Sequence, residues 1–440
     1  MYEDNIQVDY DDSLDNENQT QENRQSITDK VTTLLRWTGT ILIVLSAVNF
    51  MLQGTDEIPP AYRYWIAMGF TLLLCSGGMM CAYLFKETKG ARIFFGLVTA
   101  FLSVQVTQVA GMIYAYWHGT SALQPQYDWL QFIDVSPTII MLDVALTAGL
   151  LLLVSYASFS ILARNHLKTL IIASLIGNAL LLLPIRDANW VPLLIAGLFI
   201  YIRHIEQILH QDSSMRLLEG MAARAIIFLP LLIIMGRSFL HPVSYILAMV
   251  IGVIAVIYFI YDVNRYTQSP IILYISQWIG SAAAIVTWFI IVEQFSIPTG
   301  NPLISVAPVA LILFILSGQV TYHSRSYRNI ASTLMVYLSY SAMLDQQALA
   351  PLFAIATGIL LSIAGMNYKE KIPFFSGGIA VIGGLLFYFE YALQLYSAAP
   401  WISSIVLGLL VILLASYLEN KEKKILQQSR QYVNELKSWA

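Results

Sequence analysis

Long apolar runs separated by brief polar gaps follow one another along the chain from about residue 36 to residue 418. Most of them have the roughly 17 to 25 residues that an α-helix needs to cross the hydrocarbon core of a bilayer. Lipid offers backbone amides no hydrogen-bond partner, so a spanning run must be helical. Only 12% of the residues are charged, against roughly 25% in a soluble domain. The sequence therefore predicts an all-α fold, a polytopic bundle of transmembrane helices.

The runs predict about fourteen spans. We place them at 36–52, 62–85, 91–117, 138–162, 167–183, 190–206, 222–236, 239–261, 270–292, 302–319, 330–344, 348–366, 372–391 and 398–418. The two short runs within 330–366 have an alternative as one re-entrant hairpin, which would leave twelve spans. Pro230 and Pro308 fall inside predicted spans, where a missing backbone donor favours a kink or a break.

Basic residues are distributed unevenly between the two sides that this threading defines. Of the 24 Lys and Arg residues, 21 fall in every second gap, and the remaining gaps hold only Arg63, Arg186 and Arg237. Cytoplasmic loops carry the excess of basic residues in multi-pass membrane proteins. We therefore expect both termini in the cytoplasm and the three exceptional arginines on the outer side.

The chain divides in sequence into two tails and two membrane regions. Residues 1–29 hold nine acidic residues and predict a disordered acidic tail. Residues 30–165 form a predicted four-helix unit, and residues 166–418 a domain of about ten helices. Residues 419–440 place basic and apolar side chains at helical spacing, which predicts a basic amphipathic tail against anionic lipid. The net charge of -3 gives no reason to expect a nucleic-acid partner, so the lipid bilayer is the expected one.

The stretch GARIFFGLVTAFLSVQVTQVAGMIYAYW follows a helix opened by Trp37 and a second helix ending at Lys86. This pattern resembles the amino-terminal four-helix unit of an uncharacterised bacterial membrane-protein family, and the later spans look like the multi-helix domain that often follows it. The distinctive residues are Ala91, Arg92, Gly96, Gln105 and Gln108. The resemblance implies a bacterial inner membrane and a membrane-anchored periplasmic protein as a possible partner. It supplies no site, because the family has no established activity.

Polar side chains inside predicted spans are the candidates for function. Asp143 is the clearest, because a central Asp costs about 2.5 to 3.5 kcal/mol on insertion scales. It is expected to accept a hydrogen bond from Tyr116 or Gln108 on the preceding span, either in an outward-facing proton- or cation-linked site or simply as an interhelical hydrogen bond. The predicted polar path consists of Asp143, Gln105, Gln108, Tyr116, Asn49, Asn178, Arg237 and Glu390. Arg237 and Glu390 mark outer helix ends, where an ion pair or snorkelling into water explains them.

Catalytic and metal motifs are not apparent. The six histidines lie at loops or span ends without the spacing of a ligand pair, and there is no GxSxG elbow or phosphate loop. We therefore expect no metal site, no cofactor and no enzymatic activity. The sequence favours transport of a small or lipid-linked solute, with a non-enzymatic membrane scaffold or envelope-assembly partner as the alternative.

Overall fold

The structure, a computed structural model, describes residues 30–46, 58–119, 135–241, 243–298, 302–344 and 350–398, with the isolated positions 405 and 412. Within these ranges the chain forms helices and connecting turns and no strand, so the all-α prediction is confirmed for them. Both predicted tails, residues 1–29 and 419–440, lie outside the described residues.

Two compact units divide the chain, Met1–Val243 and Ser244–Ala440, which we call unit 1 and unit 2. The helices of unit 1 are α1 (30–46), α2 (Pro60–Met79), α3 (Thr88–His118), α4 (Pro137–Leu162), α5 (Leu167–Leu182), α6 (Val191–Leu209) and α7 (Leu218–Ser238). Those of unit 2 are α8 (Tyr245–Ile257), α9 (Pro270–Gln294), α10 (Pro302–Ser305), α11 (Ala307–Ser317), α12 (Ser324–Leu344), α13 (Ala350–Tyr368) and α14 (Lys371–Ala398). Both α2 and α8 continue directly into a π-helical turn, Met80–Leu84 and Tyr258–Asp262 respectively.

Ten helices of the described chain are long and apolar enough to cross a membrane, and they indicate a membrane protein. They coincide with ten of the predicted spans. The predicted span 302–319 is a shorter apolar helix, Leu303–Ser317, and the predicted span 330–344 is the carboxyl-terminal part of α12, which starts in the polar segment after Ser324. The predicted span 36–52 is described only up to residue 46, and 398–418 lies almost wholly outside the described residues.

The core of unit 1 is organised around α3, whose 31 residues make it the longest helix described. It contacts α2, α4, α5 and α7. Val98 and Leu102 on α3 are fully buried and pack with Leu74 of α2 and Leu151 of α4. Because other helices pack against α3 on several sides, some of its polar residues, among them Gln105, lie inside the bundle.

Helix boundaries follow the local sequence. Proline occupies the first turn of α2, α4, α6, α9 and α11, where its missing amide proton has no intrahelical acceptor to lose. Pro308 belongs to that group, and the chain breaks just before it, between α10 and α11. Pro230 instead lies inside an unbroken α7, and its ring packs against Gly177 of α5.

The closest helix pair of unit 2 is α13 with α14. Glycines face each other across it: a Cβ atom added to Gly358 would lie 2.6 Å from the Gly377 carbonyl oxygen. A separate cluster joins α9, α11 and α12, where the Trp278 ring stacks on the Tyr327 ring with centroids 4.6 Å apart. Backbone contact between α13 and α14 replaces the side-chain packing seen in the other cluster.

Candidate functional site

The charged groups of unit 1 lie toward the two ends of its helices. We call face A the end where α3, α5 and α7 finish and α4 and α6 begin, and face B the opposite end. Face A is the side that the sequence predicts to be outside the cell, and face B is the side that it predicts to be cytoplasmic.

Asp143 lies on α4, between one and two turns from the face A end. It is fully buried, and neither carboxylate oxygen has a hydrogen-bond partner among the described residues. The Tyr64 hydroxyl, also fully buried, donates to the Asp143 backbone carbonyl at 3.1 Å and lies 2.7 Å from the Thr147 hydroxyl. The neighbouring hydroxyls thus bond to each other and to the main chain, and the carboxylate itself is left unbonded.

The expected hydrogen bond from Tyr116 or Gln108 to Asp143 is not formed. Tyr116 is 60% exposed, and the buried amide oxygen of Gln108 has no partner in the described chain. The prediction was wrong because the sequence does not show which helix packs against the face of α4 that carries Asp143 and Thr147. Tyr64 on α2 takes the position beside Asp143.

Two other predicted path residues make ordinary packing hydrogen bonds. Gln105 accepts from the Thr71 hydroxyl at 3.0 Å and so joins α3 to α2. Asn178 donates to the Ser174 carbonyl one turn earlier at 2.8 Å, while its own side-chain oxygen is buried and unbonded. Gln105 therefore serves as a link between two helices. Asn178 uses its amide nitrogen as a donor, and its amide oxygen has no hydrogen bond within the described residues.

The remaining predicted path residues are Arg237, Asn49 and Glu390. Arg237, in the last turn of α7, is 8% exposed and donates to the Leu181 carbonyl at 2.8 Å. Asn49 lies outside the described residues. The backbone of Glu390 belongs to α14, but its side chain is outside the described part of the chain.

A buried cationic cluster lies at face A, and sequence reasoning identified only one member of it as a candidate. We call it the face A cluster, and it consists of Arg186, Arg237, His241 and Tyr114. The Arg186 guanidinium carbon lies 5.2 Å from the centre of the Tyr114 ring, and the His241 ring lies 6.4 Å from the same ring. Each of the four side chains is at most 9% exposed.

Burial controls the protonation of two groups in this cluster that lie outside the spanning helices. It lowers the pKa of Arg186 to about 10, which keeps the guanidinium charged at neutral pH. Burial, and then the positive charges of Arg186 and Arg237, lower the pKa of His241 to about 4. At neutral pH the cluster therefore combines two charged guanidinium groups with a neutral imidazole.

Face B differs from face A in that several of its basic side chains are paired with carboxylates. Four ion pairs lie there: Arg36 with Glu87 at 2.9 Å, Arg92 with Glu219 at 2.5 Å, His166 with Asp212 at 3.0 Å, and Arg224 with Glu206 at 2.5 Å. The Ser214 amide and hydroxyl, with a smaller contribution from His166, lower the pKa of Asp212 below its usual range. The charges of these four pairs are thus offset within the protein, while Arg164 at the same face is exposed.

Metal binding has no geometric support in the described residues. They contain no group of three or more His, Cys, Asp or Glu side chains placed to hold an ion. Cys75 and Cys81 are both free thiols.

Together the fold and these polar groups define a multi-pass helical protein. Within the described residues, unit 1 buries a carboxylate without a hydrogen bond and two arginines without a carboxylate partner. No family model, curated protein or solved structure matches the chain. The resemblance of residues 37–116 to a bacterial membrane-protein family therefore stays a prediction.

Removing the Tyr64 hydroxyl tests the hydrogen bond that joins α2 to α4. Tyr64→Phe is expected to reduce the free energy of unfolding by about 0.6 to 1.7 kcal/mol, the range for hydrogen bonds between membrane helices. The measurement is thermal denaturation of the purified protein in detergent. Tyr62→Phe is the matched control, since Tyr62 is 65% exposed on the same helix, and its midpoint should equal that of the wild type. Equal midpoints for both variants would contradict the hydrogen bond.

Proposed function

We propose that the protein carries a small or lipid-linked solute across a bacterial inner membrane, with Asp143 as an ion-coupling or solute-binding group. The observation that supports this is the unbonded carboxylate, fully buried within a helix long and apolar enough to span the membrane. The proposal assigns the protein no enzymatic activity.

An Asp inside a membrane is costly, and such residues generally mark ion paths, proton relays or ligand sites. A carboxylate kept only for helix association would recover its cost through hydrogen bonds. The nearest donors, Tyr64 and Thr147, bond elsewhere. Asp143 therefore holds an unused acceptor that a proton, a cation or a solute can occupy.

The orientation that we propose has face A in the periplasm and both termini in the cytoplasm. Its support is the excess of basic residues in the loops on the face B side. Asp143 would then open toward the periplasm, where a membrane-anchored periplasmic protein is the partner that we propose.

The test uses a deletion strain complemented at matched expression by the wild type, Asp143→Asn or Asp187→Asn. Asparagine keeps the shape of the side chain and removes its charge. Asp187 is an exposed carboxylate in the α5–α6 connection, so its substitution controls for loss of a negative charge at face A. We expect the wild type and Asp187→Asn to restore growth and solute uptake, and Asp143→Asn to leave uptake at the level of the deletion strain.

Equal rescue by Asp143→Asn would contradict the transport proposal. The same result would favour the scaffold, whose phenotype needs the folded protein but not the carboxylate. Protein level in the membrane is measured in parallel, so that a folding defect is not mistaken for loss of flux.

A further inference from the structure

The face A cluster brings together side chains from three separate segments of unit 1. Tyr114 comes from the last two turns of α3, Arg186 from the α5–α6 connection, and Arg237 and His241 from the end of α7 and the residues after it. Because Arg237 is anchored on the Leu181 carbonyl at the end of α5, the ends of α5 and α7 are held side by side. Segments more than a hundred residues apart in sequence thus converge on one polar centre.

The positive charge of this centre has no carboxylate to offset it in the described chain. The polar contacts of Arg186 and Arg237 are with backbone carbonyls, at 3.4 Å from Ile185 and 2.8 Å from Leu181. Four of the described carboxylates of unit 1 are used in the ion pairs of face B. Asp187 is exposed and accepts the Asn189 amide, and Asp143 lies on α4 with both oxygens unbonded.

Two nitrogen atoms of the cluster are buried and have no hydrogen-bond partner among the residues that the structure describes. They are Nη2 of Arg237 and Nδ1 of His241, on side chains that are each 8% exposed. A buried donor or acceptor that has no hydrogen-bond partner costs about 1 to 3 kcal/mol of stability, and more when the group is charged. Such a group calls for an explanation, and a bound ion or ligand that completes its hydrogen bonds is one.

We propose that the face A cluster binds a phosphate monoester group. Such a group carries a charge of about −1.5 to −2 at neutral pH, which offsets both guanidinium charges, whereas one carboxylate would leave a positive charge buried. The planar guanidinium presents parallel N–H donors that fit phosphate oxygens. The neutral His241 ring adds a donor when its proton is on Nδ1.

The ligand chemistry has two possible sources, a soluble phosphate and the headgroup of a lipid with a terminal phosphate. Both present the same dianion to the cluster, and they differ in whether binding needs a bilayer. This inference goes beyond the transport proposal, because binding at face A is measured without flux and does not involve the Asp143 carboxylate.

The experiment measures binding of inorganic phosphate to the purified full-length protein in uncharged detergent, by calorimetry and by the shift in thermal midpoint. Variants Arg186→Gln and Arg237→Gln are compared with Arg164→Gln, an exposed arginine near face B. Each cluster variant is expected to weaken binding at least about tenfold, the loss of one charge-assisted contact. Arg164→Gln should bind within about twofold of the wild type, as a distant surface position does.

A second arm uses vesicles of phosphatidylcholine with either phosphatidic acid or phosphatidylglycerol. Phosphatidic acid has the terminal monoester, and phosphatidylglycerol has a singly charged diester. Arginine-dependent stabilisation by inorganic phosphate identifies a soluble ligand, and stabilisation by phosphatidic acid alone identifies a lipid headgroup. The proposal is overturned if neither stabilises the protein, or if both cluster variants respond like the wild type.

The ligand-free midpoints separate binding from folding. Arg186 and Arg237 are buried without a carboxylate partner in the described chain, and a glutamine amide keeps an N–H donor for the Leu181 carbonyl that Arg237 contacts. Neutral glutamine at either position should therefore leave the ligand-free midpoint equal to that of the wild type or higher. A lower ligand-free midpoint in both variants would show that the arginines stabilise the fold, and would overturn the proposal.

Discussion

Arg224→Met is expected to reduce the free energy of unfolding of unit 1 by about 3 to 5 kcal/mol, the cost of leaving one member of a buried ion pair without its partner. Arg224 and Glu206 are 1% and 2% exposed, with Nη2 2.5 Å and Nε 2.9 Å from one Glu206 oxygen. Methionine matches the length of the arginine stem and supplies no donor. The measurement is chemical or thermal denaturation in detergent.

The double variant Glu206→Leu with Arg224→Met is expected to recover most of that loss, because no charge is then left buried. Arg216 is exposed in the segment between α6 and α7, so the free energy of unfolding of Arg216→Met should stay within about 0.5 kcal/mol of the wild-type value. An Arg224→Met protein that unfolds together with the wild type would show that the pair does not hold α6 against α7.

Gly377→Ala is expected to destabilise unit 2 by about 1 to 3 kcal/mol, the typical cost of adding atoms to a well-packed interface. A Cβ atom at Gly377 would lie 2.5 Å from the Gly358 carbonyl oxygen and 2.6 Å from the Ser362 amide nitrogen. Both neighbours are backbone atoms, so α13 and α14 must separate to admit the methyl group. Denaturation in detergent measures the loss.

The adjacent residue provides the matched control. Gly378 has no heavy atom within 4 Å of an added Cβ, so Gly378→Ala should be neutral or stabilise the helix by roughly 0.5 to 1 kcal/mol. If the two substitutions have the same effect, then helix propensity and not backbone contact determines the result at Gly377.

Span positions could be predicted from the sequence because an apolar run of sufficient length has only one stable form in lipid. The sequence could not show which helix packs against which face of another. In α4, Asp143 and Thr147 lie one turn apart on the same face, but the residue that packs beside them, Tyr64, lies 79 residues before Asp143 in the chain. Periodicity shows which residues share a face of a helix, but not which helix that face contacts.

For the candidate site, one useful signal could be read from the sequence: three arginines lie on the side that is otherwise without basic residues. Arg63, Arg186 and Arg237 were all identified in this way, and the structure buries all three. The convergence of Arg186 with Arg237 and Tyr114 depends on the approach of helix ends that are far apart in sequence. A count of charges per loop cannot show that approach.

The short connection between α13 and α14 has a consequence for how the protein is made. Lys369 adopts a left-handed backbone conformation, with φ of 54°, and amides after the helix return to carbonyls of its last turn: Lys369 to Met366 and Glu370 to Gly365. The turn and the glycine contacts are all local in sequence, so little chain entropy opposes pairing. The two helices can leave the translocon as one preassembled hairpin, which enters the bilayer with the glycine contacts between α13 and α14 already formed.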